Sequence, residues 1–535
     1  MTAIVAAAPV RDFYFTHHRF SALGTEAVRR ILSRAGVASA VYNFPLMRKK
    51  PAAAALPEAL SYLQPYLLAE EKGPWSFFRR YHRYGPSMDE CARRIVEGKP
   101  DLLLLSCLAY CYAGETLELA REVRRMRPDI TIVAGGAGPS AHPPYFLREP
   151  GIDYVLAGEA ETCLESFIRA WRGDIGWEKV PNLYRRRGGK TIAPAETRRT
   201  GPGEPEFVWT EAARSETAAS VSVNMSRGCP RRCRFCSSFL CHGRGFRTPR
   251  WERIRSGIGE IAERYGGSAR LLRINFEDDN LLLDAPLFFR TLETMREALP
   301  RCVFSMENGM EYSLVDPDWI PRWVDLGVAQ LNLSVVSTDR CVLNAQNRSA
   351  RLSCYEQVVA AARRCGLPVV TYFICGFKED TAEGVARTLL YLFEQPVRVG
   401  FSAFYPVPGL PDWGDPFILE PPALCAGSSM YPWNRSLSTR QMVTLFRLCR
   451  FLNALKTASP QARPDTWEVL DRSLREKTLY TRLRGGAVVA VPYVDDALGR
   501  DVLQRAAAVV ARRGIRRPAR AANTLTRAEE QNTIS

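Results

Sequence analysis

Between about residue 220 and residue 410, short β-branched or apolar runs alternate with amphipathic stretches of helical length. That alternation is the pattern of a parallel βα repeat, in which each strand is followed by a crossover helix. Six units are read, with strands predicted at Ser220–Met225, Leu272–Phe276, Val303–Met306, Gln330–Val336, Pro368–Ile374 and Val399–Phe404. Helices are predicted between them at Trp251–Tyr265, Ala285–Leu299, Cys354–Cys365 and Ala382–Glu394. Upstream, Asp101–Ser106, Ile130–Gly136 and Ile152–Glu159 are near-continuous apolar runs, as expected of parallel strands buried on both faces, and Glu115–Arg127 is the clearest helix among them. An earlier pair, a strand near Phe13–Phe15 and a helix over Thr25–Ala35, followed by Ala38–Tyr42, completes an open Rossmann-like sheet. Beyond about residue 416 the apolar spacing is helical, at Gln441–Leu455 and Asp501–Ala511, and neither repeat recurs. The fold class is therefore α/β, with a Rossmann-like domain over 1–200, a partial (β/α)6 barrel over 215–415 and a mainly helical region with a flexible basic tail over 416–535.

At 535 residues the chain is long enough for two or three domains, and 46% hydrophobic against 24% charged residues is ordinary globular material. No apolar run approaches a membrane span, and the opening Met1–Ala8 lacks the basic start of a signal peptide, so a cytoplasmic location is expected. Fifteen cysteines suit a reducing compartment. A net charge of +16 permits an anionic partner, but the basic residues are scattered and the one dense cluster, Arg512–Pro518, sits in a polar tail. No appended nucleic-acid-binding motif is recognisable, which argues against nucleic acid as partner.

The candidate chemistry lies just after the first barrel strand, in the run Ser226-Arg227-Gly228-Cys229-Pro230-Arg231-Arg232-Cys233-Arg234-Phe235-Cys236. Cys229, Cys233 and Cys236 stand in a C-x3-C-x2-C spacing on one glycine- and proline-bearing loop. Three thiolates there reach three corners of a [4Fe–4S] cluster and leave one iron open to a ligand that is not protein. A zinc site would pair two C-x2-C halves or add histidines, and neither follows. The loop's position agrees with its composition, because chemistry in a βα barrel sits at the C-terminal ends of the strands.

With an aromatic residue, Phe235, just before the last cysteine, this segment resembles the signature of the radical S-adenosylmethionine (radical SAM) superfamily. The resemblance implies that SAM chelates the open iron and is cleaved by the reduced cluster to methionine and a 5′-deoxyadenosyl radical, with electrons from an external donor such as flavodoxin or ferredoxin. It implies SAM-binding roles for Phe235 beside the adenine and for Asp278 and Asp279, whose acids at the second strand end would receive the methionyl ammonium group. Asn308, Ser334, Ser337 and Arg348 supply polar groups at later strand ends, suited to the ribose and carboxylate. Cys241 is read as a free thiol, since a fourth ligand would close the open iron.

The order "PDLLLLS…IVAGGAGPS…IDYVLAGEAE" ahead of such a core resembles the cobalamin-binding domain of the B12-dependent radical SAM class, and the two resemblances cover roughly residues 1–410. Gly135 and Gly136 would let the backbone approach the cofactor closely. The chain departs from one pattern: domains that supply an axial histidine carry D-x-H-x-x-G, and the aligned stretch here is Arg19-Phe20-Ser21-Ala22-Leu23-Gly24. The class implies a methyltransferase acting on an unactivated carbon of a small-molecule or natural-product substrate. Two other readings stay open, a SAM-only radical enzyme catalysing cyclisation or rearrangement and a non-catalytic iron–sulfur redox protein.

Overall fold

The computed structural model describes residues 2–14, 20, 22–47, 50–68, 80–197, 204–267, 270–457, 464–482 and 488–512. The chain forms two compact units, one from Met1–Tyr62, Arg80–Asn332 and Tyr405–Ser429, the other from Leu63–Arg79, Leu333–Phe404 and Met430–Ser535.

The first unit holds two sheets that matter for function. In the N-terminal one, five parallel strands run at Thr2–Ala7, Ala38–Asn43, Leu102–Ser106, Thr131–Gly135 and Tyr154–Leu156. Their spatial order is 2-1-3-4-5, and the antiparallel strands Leu183–Arg187 and Lys190–Ile192 extend the far edge. Ala3, Val5, Leu102 and Leu104 point to one face by the two-residue period of a strand. They bury there against Ile31 and Leu32 of helix Leu23–Arg34 and Leu164 and Phe167 of helix Ala160–Trp171. The first strand is Thr2–Ala7, not Phe13–Phe15. Five of its six residues, all five of them apolar, are buried, whereas the segment after it forms only the short strand Val10–Asp12; Phe15 lies outside the described residues.

The second sheet carries the start of the βα repeat. Ala218–Asn224, Leu271–Phe276 and Cys302–Ser305 are parallel, with Val208–Arg214 added antiparallel at the edge, a strand the βα pattern does not announce. Helices Trp251–Tyr265 and Ala285–Ala298 cross between them, the latter capped by Asp284, whose side chain accepts from the Leu287 N–H at 3.0 Å. The remaining strands, Leu331–Val336, Val369–Cys375 and Arg398–Ala403, form a three-stranded sheet, with helices Leu352–Arg364 and Ala382–Glu394 between them. All six expected strands are therefore present, each within about two residues of its predicted bounds.

In the second unit the C-terminal region is mainly helical, at Thr439–Thr457, Pro464–Glu476 and Asp496–Arg512, but it also contains the antiparallel pair Thr478–Arg482 and Val488–Pro492. The Lys456 ammonium closes the C-terminal end of Ala382–Glu394 by donating to the carbonyls of Leu392, Gln395 and Val397 at 2.7–2.9 Å. Among the described residues no helix is long and apolar enough to cross a membrane.

Candidate functional site

The cysteine loop begins where strand Ala218–Asn224 ends, and its shape is set by the end of the neighbouring strand. The buried Asp278 carboxyl accepts from the Met225 N–H at 3.1 Å and from the Ser226 hydroxyl at 2.5 Å. Asp279 accepts from the Gly228 N–H at 2.8 Å, and the Asn280 amide donates toward the Cys229 sulfur at 3.7 Å. Burial pushes the Asp278 carboxyl up to about 7 despite the hydrogen bonds it accepts. The other side of the loop is closed by a backbone bridge between Arg227 and Arg247, with N–H···O distances of 2.9 and 3.0 Å. Gly228 sits at φ +80° there, and a Cβ on it would stand 2.2 Å from the Gly245 carbonyl, so the turn admits no side chain.

Cys229, Cys233 and Cys236 stand on this loop outside any disulfide, Cys233 buried and the others half-buried. Burial raises the Cys229 thiol, with the nearby Cys236 and Asp279 adding to the rise. Among the described residues no three ligand side chains converge on one point as a single metal ion would require. A cubane poses a different demand, because each thiolate binds a different iron and the sulfurs stand apart. One loop with three such thiols and a hydrogen-bond donor at Cys229 fits it.

A cavity of about 340 Å³ opens beside this loop. On one side it is walled by the C-terminal strand ends of the N-terminal sheet, including Ser106, Gly135 and Gly136; on the other by Asn224, Arg227, Cys241, His242, Glu277 and Asp279. This is the place a 2-1-3-4-5 sheet keeps for a ligand, outside the strand ends near the reversal of order. Gly136 has φ +100°, and a Cβ on it would lie 2.7 Å from the Cys107 carbonyl, so the glycine pair serves close backbone packing as well as lining the cavity.

Glu159 joins the two walls. It follows strand Tyr154–Leu156, is buried, and accepts from the Arg247 guanidinium at 2.7 and 3.1 Å, with His242 Nδ1 at 3.1 Å. Burial alone would raise this carboxyl, but the hydrogen bonds from His242 and Arg247 and their charge outweigh it and bring it to about 2. Three polar atoms of residues that line the cavity are themselves fully buried, with no hydrogen-bond partner among the described residues: Asn224 Oδ1, Glu161 Oε1 and Arg227 Nε.

The geometry gathers some of the expected residues within the first unit, while others belong to the second. Asp278 and Asp279 bond the head of the cysteine loop at Met225, Ser226 and Gly228, Cys229 meets the adjacent Asn280, and Gly135, Gly136 and Asp279 share the cavity. Phe235 is half-buried in the loop, and Asn308 is exposed in the turn after strand Cys302–Ser305. Ser334, Ser337 and Arg348 belong to the second unit, where Arg348 donates to the Ser334 carbonyl at 2.9 Å and Ser337 accepts from the Asp339 N–H at 3.1 Å. Cys241 lines the cavity, with its thiol pushed by burial up to about 11. Ser21, like His17 and His18, lies outside the described residues; His142 is buried against Tyr110 and Tyr145, with ring centroids 6.1 and 5.9 Å away. Sequence reasoning missed Glu159, Glu161, Asn224, Arg227, His242 and Arg247. A faint signal existed for the first two, since Gly158-Glu159-Ala160-Glu161 stands at a strand end, but nothing local pairs Glu159 with an arginine 88 positions on.

Comparison with known proteins agrees with this geometry. Residues 80–168 match the B12 binding domain and residues 223–392 match the radical SAM superfamily. The chain thus carries a segment matching a B12 binding domain ahead of one matching the radical SAM superfamily. Among curated relatives, it is similar to the bacteriochlorophyllide d C-12(1)-methyltransferase of Chlorobaculum tepidum, at 24% identity over 50% of this chain and 57% of the relative. It is also similar to the hopanoid C-3 methylase of Methylococcus capsulatus, at 23% identity over 60% of this chain and 62% of the relative. The chain thus spans less than two thirds of the length of either. Its fold resembles the radical S-adenosylmethionine methyltransferase TsrM of Kitasatospora setae, at TM-score 0.56 and 16% identity over 77% of this chain and 74% of the other.

Proposed function

We propose that this protein is a cobalamin-dependent radical SAM methyltransferase that acts on a small-molecule substrate at an unactivated carbon. The observation that carries the reading is the shared cavity, walled on one side by the strand ends of the B12-binding domain and on the other by residues flanking the cysteine loop. When bound, the cluster with SAM supplies a hydrogen-abstracting radical and the corrin supplies the methyl carrier.

The chain's own residues do the holding. Cys229, Cys233 and Cys236 would each take one iron, and the Asn280 amide directed at Cys229 would tune that sulfur. Asp278 is committed to the backbone at Met225 and Ser226, which makes it a positioning residue for the loop. Asp279 lines the cavity and is the better placed of the two to meet the methionyl ammonium group of SAM. Glu159, through Arg247 and His242, keeps the cofactor walls in register. Burial of the cavity against apolar strand residues such as Leu104 and Val133 limits water near the radical.

The test is anaerobic reconstitution with iron, sulfide and hydroxocobalamin, followed by the visible spectrum and an assay for 5′-deoxyadenosine. Cluster and corrin bands together, with SAM cleavage, are expected. Retention of the cluster and SAM cleavage without any corrin would leave a SAM-only radical enzyme in place of the proposed one.

A further inference from the structure

From Met225 to Trp251, the stretch that holds the cysteine loop, the chain carries seven arginines and no aspartate or glutamate. Every carboxylate that meets these arginines therefore comes from elsewhere in the chain. Arg227 and Arg247 are largely buried and face Glu161 and Glu159. The side chains of Arg231 and Arg234 remain 43% and 40% exposed, paired with Glu311 and Asp412. Glu311 is itself buried, so solvent meets the Arg231 guanidinium before its partner. Arg232 is exposed between them. Arg244 donates to the Arg231 carbonyl at 2.9 Å and lies 4.1 Å from the Phe239 ring centroid, with no carboxylate at ion-pair distance among the described residues. Four arginines against two carboxylates leave a surplus of positive charge at the exposed edge of the loop.

Such a surplus attracts an acidic partner and speeds its encounter. Pro230, Arg231 and Arg232 stand between Cys229 and Cys233, so a partner held there is beside two of the three cysteines. The geometry points to Arg231, Arg232, Arg234 and Arg244 as the docking surface for a small one-electron carrier protein with an acidic face. This rests on the reading that the loop holds a cluster which must be reduced for SAM cleavage. In the step, one electron passes from the reduced carrier to the oxidised cluster; no bond forms or breaks and no proton moves. Redox encounters bury little surface, so a patch of a few arginines suffices.

The experiment is anaerobic stopped-flow reduction of the reconstituted cluster, read by visible absorbance, with two donors: reduced flavodoxin, an acidic flavin carrier, and the methyl viologen radical cation. For the wild-type chain the flavodoxin rate constant is expected to fall about tenfold or more between about 20 mM and about 500 mM salt. Arg232→Glu combined with Arg244→Glu, at full cluster content, should lower the flavodoxin rate about tenfold at low salt, while the viologen rate holds or rises. Arginines that served only to offset the charge of the cluster would slow both donors. A flavodoxin rate indifferent to salt, one unchanged in the double variant, or an equal loss with both donors would overturn the docking surface. The wild-type salt series needs no variant to fold. A reduced cluster that yields no 5′-deoxyadenosine from SAM is a separate result: it removes the radical SAM reading, and the rate comparison still decides the surface.

Discussion

Replacing Glu159 by glutamine tests whether the two cofactor walls are held together by one buried carboxylate. The side chain is 3% exposed, so solvent does little to screen it. The fall of its carboxyl from 4.5 to about 2 corresponds to about 3 kcal/mol in favour of the native state. Breaking a buried ion pair by removing one partner costs about 3–5 kcal/mol, so two independent routes give similar magnitudes. The sign is clear: a carboxyl lowered by folding contributes fully above about 4.5, and the contribution is lost as pH falls through about 2. The assay is a double-mutant cycle of Glu159→Gln and Arg247→Met, read by urea unfolding of the apo chain near neutral pH. The single Glu159→Gln variant should lose about 3 kcal/mol, and the pair should show a coupling of about 1.5–3 kcal/mol. Because Arg247 also bridges to Arg227 at the head of the cysteine loop, iron content after reconstitution should fall with it. A coupling below about 0.5 kcal/mol would refute the argument.

Alanine at Cys229, Cys233 or Cys236 should remove the cluster absorbance and all SAM cleavage, while Cys241→Ala keeps both; iron and sulfide analysis of the four variants decides. Gly136→Ala should cost about 1–3 kcal/mol and reduce corrin retention, since the residue is at φ +100° and the new Cβ would stand 2.7 Å from the Cys107 carbonyl; a stable variant with normal corrin content contradicts this. In the second unit, burial pushes the Asp380 carboxyl up to about 6 although it accepts from the Gly376 and Phe377 N–H groups at 2.8 and 3.0 Å. Its contribution is therefore full below about 3.8 and lost as pH rises through about 6, so the stability difference between the wild-type chain and Asp380→Asn should change between those limits, by at most about 3 kcal/mol, and thermal unfolding at several pH values would show it.

Much of this architecture was legible along the chain because parallel βα units write themselves locally. A strand buried on both faces must be nearly all apolar, and Leu102–Leu105 is; a crossover helix must be amphipathic, and Trp251–Tyr265 and Ala382–Glu394 appear with the bounds their periodicity predicts. The cysteine spacing is local too, since three ligands on one loop need no distant partner. What escaped was either weakly patterned or distant. Thr2–Ala7 is a run of small residues at a chain start, and the antiparallel strands at Val208–Arg214 and Thr478–Arg482 carry no βα rhythm.

The sequence by itself determined the class: two α/β segments in a set order, with a three-cysteine loop after the first strand of the second βα repeat. Tertiary structure alone decided which polar side chains share the cavity. Glu159 meets Arg247 across 88 positions, and Asp278 reaches back across 52 to the head of the loop. Such pairings depend on strand order, register and the depth of burial, which set how strongly a carboxylate is desolvated and which donors compensate it. None of these is a property of a residue's neighbours in the chain.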